Sequence, residues 1–80
     1  MIDLKELFII HKKAFKAFED KNYNEASFQY KVLLTLLEEN KEYINDYVDL
    51  KLSIESNIEL CNKIENFFNL FKIKMQKNNF

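Results

Sequence analysis

Asn22-Tyr23-Asn24-Glu25-Ala26, continued by Tyr30, Leu33 and Leu37, is where one helix gives way to the next. Apolar groups at 23, 26, 30, 33 and 37 recur every three or four positions, which places them on one face of an α-helix. Asn22 is suited to cap that helix, because its side-chain oxygen can accept an orphan amide N–H from the first turn. Glu25, three residues on, is placed to reach back to the Asn22 amide and complete a reciprocal capping pair. An apolar helix must lie on each side of this corner, so the stretch predicts a helical hairpin.

Outward toward the N-terminus, Asp3 with Glu6 three residues later marks a helix start, and the stripe Leu4, Leu7, Phe8, His11, Ala14, Phe15 and Phe18 follows. Ile10 and Ala17 widen that stripe, while Lys5, Lys12 and Lys16 fall in line on another face. The second helix carries Val32-Leu33-Leu34-Thr35-Leu36-Leu37, apolar nearly all round, so it needs cover on more than one side and is expected to be central. Beyond it, Tyr47, Leu50, Ile54, Ile58, Cys61, Ile64, Phe68, Phe71 and Met75 keep helical spacing as one long element. Its start is expected between Lys41 and Asp46, with Tyr43 to Asn45 as a candidate turn. The expected fold class is all-α: a three-helix bundle with a long third helix, over about 3–20, 23–39, and 42 or 46 to 75.

Composition agrees with this. There is no Gly and no Pro, 48% of residues are hydrophobic and eight are Phe, so helices are uninterrupted and a short chain can still assemble a core. A net charge of −1 argues against a protein that neutralises many nucleic-acid phosphates. One Cys forms no internal disulfide and fits a reducing, cytoplasmic setting. The apolar run Leu7-Phe8-Ile9-Ile10 is too short for a signal peptide or a membrane span, so no membrane insertion is expected. Residues 1–75 read as one domain, and 76–80 as a tail or the start of a linker.

No catalytic set assembles, and no cofactor or metal is expected. His11 and Cys61 are the only residues of their kind, and neither has a local partner that would make it a base or nucleophile. His11 reads as a partly buried packing residue and Cys61 as a small hydrophobe in a core phase. Glu55 and Glu59, four apart, hold a metal only if facing helices supply ligands, and those offer Phe and Leu. The domain itself therefore reads as non-enzymatic. Lys5, Lys12 and Lys16, with Lys13 beside them, read either as a solvated face or as a binder of acidic surfaces.

With these positions placed, the chain resembles the MIT (microtubule-interacting and trafficking) domain over about residues 4–70. The matching residues are Ala14, Asn22, Tyr23, Glu25, Ala26, Tyr30, Leu33, Leu34 and Leu37, with Leu50, Lys51, Ile54, Ile58, Cys61 and Ile64 at corresponding phases of the third helix. Lys21 stands where that family usually has Gly, and Phe18 where the vacuolar-sorting type has Asp. The second departure makes the chain more similar to the N-terminal module of katanin-type AAA ATPases. The resemblance implies a monomeric docking domain that targets an attached AAA ATPase. It would bind a helical or extended motif, from an ESCRT tail or a katanin regulatory subunit, or microtubules themselves. Helical phase away from the inward face selects Val32, Leu36, Glu39, Glu55, Glu59, Lys63 and Asn66 as partner-binding candidates. The alternative is a tetratricopeptide-like adaptor fragment, which requires a helix stop near residue 65.

Overall fold

The computed structural model describes residues 3–78, with side chains placed through residue 72. Three helices follow one another: α1 (Leu4–Glu19), α2 (Tyr23–Glu39) and α3 (Tyr47–Asn78), with a single 3-10 turn, Lys41–Tyr43, before α3. The expected all-α three-helix architecture is present. Each helix follows from its sequence signals. Asp3 caps α1, its carboxylate accepting the Lys5 amide at 2.9 Å. Asn22 caps α2 by accepting the Glu25 amide at 3.4 Å.

The reciprocal half of that second cap is not made. Glu25 Oε1 accepts instead from Gln29 Nε2 at 2.8 Å, and the Asn22 amide is already committed to the Ala17 carbonyl at 2.9 Å. That commitment belongs to a C-terminal motif closing α1, in which the Lys21 amide also donates to Phe18 O at 3.0 Å. Such a closure needs a left-handed residue, and Lys21 takes it at φ 63°. Glycine normally occupies this position because a Cβ is unfavourable there. The second corner is built differently: α2 closes on Asn40 at φ −115°, and the left-handed residue, Asp46 at φ 60°, stands immediately before α3.

α3 begins at Tyr47, after the 3-10 turn and an extended Ile44 (φ −117°, ψ 118°). The turn expected over Tyr43 to Asn45 is thus present, and the later of the two candidate starts holds. The helix continues without a break to Asn78, past the end expected near residue 75. Residues 79 and 80 and the Met75 side chain lie outside what is described. The stop near residue 65 that a tetratricopeptide reading requires is not found.

α2 packs on both neighbours, whereas α1 and α3 scarcely meet. The core holds Leu7, Ala14, Ala17, Ala26, Tyr30, Leu33, Leu37, Ile54 and Cys61. Ala14 and Ala26 are fully buried, which lets the α1 and α2 backbones approach closely. Every position of the α2 stripe is buried except Tyr23, which is half-buried. Four of the seven α1 stripe residues are not: His11 is exposed, and Leu4, Phe8 and Phe15 are 57%, 62% and 51% exposed, because α3 does not cover that flank. At the corner, Phe18 packs edge-on against Tyr23, whose other side stacks on Phe68 of α3.

Two substitutions are expected to raise stability. Lys21→Gly relieves the left-handed corner and should add about 1 kcal/mol. Ser27→Ala removes a buried hydroxyl that has no hydrogen-bond partner, and should be neutral or stabilising by up to about 1 kcal/mol. Urea unfolding midpoints at unchanged m-value check both; a loss of more than about 1 kcal/mol in either contradicts the corner or the burial described.

Candidate functional site

The failure of α1 and α3 to meet leaves a groove between them with α2 as its floor. Its upper part has a volume of about 370 Å³, walled by Leu4, Phe8 and His11 of α1 and by Leu50 and Ser53 of α3, over Leu33, Leu37 and Ile54. Its lower part, about 270 Å³, lies between Phe15 and Phe18 on one side and Asn57 and Leu60 on the other, over Tyr30. His11 borders both parts, so they adjoin along the bundle. The lining is apolar apart from His11, Ser53 and Asn57. Apolar walls with a few polar groups suit a side-chain-bearing segment of another chain better than a small charged ligand.

His11 is exposed rather than partly buried, though its ring meets Tyr30 edge-on with centroids 6.2 Å apart. It faces the groove because α3 stands away from α1. Lys12 lies over the Phe8 ring, 5.3 Å from its centroid, which sets the basic line of α1 at the groove's lip. Lys5, Lys12 and Lys16 are all exposed, and Lys16 pairs with Asp20 at 3.2 Å.

The seven partner-binding candidates do not share one groove. Val32, Leu36 and Glu39 continue the row of Glu25, which lines an open trough with Ile9, Lys13 and Lys16 of α1. The α3 flank of α2 is marked instead by Glu38, bonded to Lys51 at 3.4 Å. Leu36 packs against the core and Val32 is half-buried, whereas Glu39 is exposed. Glu55, Glu59, Lys63 and Asn66 are exposed on α3, and Glu59 pairs with Lys63 at 3.1 Å. Both charges of that pair are well solvated, so it adds little to stability. Periodicity had placed Leu4, Phe8 and Phe15 in the core, and they line the groove instead. Ser53 and Asn57, polar residues on the α1 side of an otherwise apolar face, are the sequence signal that this flank is wet.

Cys61 is 1% exposed, and burial raises its thiol pKa, its own backbone contact opposing and Glu65 adding to the rise. A buried thiol held neutral is a poor nucleophile. Burial also raises the Tyr30 hydroxyl, with Cys61 contributing. Among the described residues no three His, Cys, Asp or Glu side chains gather that could hold a metal ion, and no helix is long and apolar enough to cross a membrane. Compared with known protein families, curated proteins and solved structures, the chain matches none.

Both raised groups are acids kept neutral by the fold, so their folded pKa values exceed the unfolded ones, near about 8.5 for Cys and 10 for Tyr. Their stabilising effect is complete below those values and is lost as pH rises through the folded ones. Urea midpoints should be flat up to about pH 8 and fall above it, with Cys61→Ala removing the earlier part of the fall. An unchanged profile in that variant contradicts the burial of the thiol.

Proposed function

We propose that this chain is a non-catalytic docking module of the MIT kind, in which a helical or extended segment of a partner protein lies in the groove between α1 and α3. The reading rests mainly on that groove: two parallel helices hold Leu4, Phe8, Phe15, Leu50 and Leu60 apart over an apolar floor, and none of the described residues covers them. In water such a strip is unfavourable unless a partner uses it. Resemblance at Ala14, Asn22 to Ala26 and Tyr30 adds the partner class, an ESCRT tail or a katanin regulatory subunit. The same resemblance supplies the role, which is to bring an attached AAA ATPase to its target.

Charge gives the segment an orientation. No acid lies between Leu7 and Phe18 of α1, and Lys5, Lys12 and Lys16 border the Phe8 lip. A bound segment would therefore carry its acidic flank toward α1 and its apolar flank toward α2. The acidic tails of microtubules meet the first requirement and lack the second. Microtubule binding would then rest on the lysines alone and weaken steeply with salt.

Fluorescence anisotropy with labelled ESCRT-tail peptides and a katanin regulatory-subunit peptide tests this. Phe8→Asp and Leu50→Asp should each weaken binding at least about tenfold, or 1.4 kcal/mol, with helical content retained. Leu52→Asp, on the far side of α3 and 59% exposed, should leave binding unchanged. Equal effects of all three, or none of any, overturn the groove as the docking site.

A further inference from the structure

The groove between α1 and α3 is apolar toward both ends and polar in the middle. Phe8 precedes His11 on the α1 wall and Phe15 follows it, while Leu50 precedes Ser53 and Asn57 on the α3 wall and Leu60 follows them. His11 shares the upper part with Ser53 and the lower part with Asn57, which sets the polar residues of the two walls at one level. None of these three side chains has a hydrogen-bond partner among the described residues. His11 and Ser53 are exposed and Asn57 is half-buried, so water can satisfy all three until a segment covers them.

We infer that the groove takes a helix of a partner protein whose apolar face is interrupted at its middle by one carboxylate, received by His11, Ser53 and Asn57. The inference rests on the docking reading of this groove and specifies its ligand. A wholly apolar segment would strip the water and leave three polar groups unpaired, which opposes binding. Imidazole, hydroxyl and amide each carry a donor, and a carboxylate is an acceptor only, so one carboxylate can serve them. Charge favours it over an amide. No acid lines either part of the groove. Lys12 and Lys16 adjoin His11 on the outer side of α1, with Glu19 beside them, and Lys12 forms no ion pair among the described residues. An anion at mid-groove therefore meets donors and an unpaired lysine charge. The walls also set the form of the segment. His11 lies three residues after Phe8 and four before Phe15, and Ser53, Asn57 and Leu60 follow at four and three, the alternation along which a further helix packs. From Leu4 to Phe18 the α1 wall runs about 21 Å at about 1.5 Å per residue, the length of a helix of about 15 residues.

Fluorescence anisotropy with three labelled synthetic helices of about 15 residues tests the inference, the three being identical except for Glu, Gln or Leu at the middle of a Leu-bearing face. At low salt the Glu peptide should bind at least about tenfold more tightly than the Leu peptide and about threefold more tightly than the Gln peptide. His11→Leu, with an unchanged far-UV circular dichroism spectrum, should cut the preference for Glu over Leu at least about fivefold. Phe8→Asp should weaken all three peptides. If the Gln or Leu peptide binds as tightly as the Glu peptide while Phe8→Asp still weakens binding, the inference falls and the groove stands as a docking site. A Glu peptide indifferent to both substitutions overturns the inference and the groove together. No binding of the Glu peptide up to about 1 mM overturns the inference alone, because the ESCRT-tail and katanin-subunit peptides test the groove separately. A concentration-dependent dimer in sedimentation equilibrium that is lost in Phe8→Asp would make a second copy the occupant and overturn it as well.

Discussion

The structure depends on α2 serving as the shared packing partner of both other helices. Ala14, Ala17 and Ala26 leave no bulk between α1 and α2, so those helices close tightly, with Leu7, Leu33 and Leu37 at one end and Phe18 with Tyr23 at the other. α3 lies on the neighbouring flank of α2 through Ile54, Ile58 and Cys61. A helix has one circumference to share. With two neighbours on adjacent flanks of α2 that do not themselves close, the third side of the triangle stays open, and the groove follows from the packing.

The sequence was most legible where a residue had a single neighbour to satisfy. The α2 stripe, Tyr23 to Leu37, is buried as its spacing required, and Asp3 and Asn22 cap as their side chains allow. Spacing identifies a face, but it does not say which of two neighbours covers that face. That is why Leu4, Phe8 and Phe15 were read as core although they border water, and why Val32 and Leu36 were grouped with Glu55 and Glu59 although the rotation of α2 turns them toward α1. The left-handed corners were hidden for another reason. With no Gly in the chain, Lys21 and Asp46 adopt a conformation that neither residue announces.

Stability and binding use different parts of the same amphipathic stripes. Ala14 and Ala17 on the inner edge of α1 are consumed by folding, while Phe8 and Phe15 on its outer edge are not. Ion pairs do little to offset that exposure. Lys16 with Asp20 and Lys63 with Glu59 are local and solvated, and among the described residues only Lys51 with Glu38 joins two helices. The energetic weight therefore rests on a small aliphatic core around Tyr30, and the outer edges are free to take a partner.

Length carries the same logic further. At about 1.5 Å per residue α1 spans about 24 Å and α3 about 48 Å, so α3 outruns the hairpin, and past Phe68, which stacks on Tyr23, its last turns have no counterpart. A projecting helix is marginal by itself in water, because nucleation and backbone entropy oppose it. Here the absence of Gly and Pro, the Glu59 and Lys63 pair and the stacked Phe67 and Phe71 rings favour the helical state locally. Those rings, with Leu70, are also exposed by the projection. The aromatic row that favours helix toward the free end of α3 is thus also left exposed there.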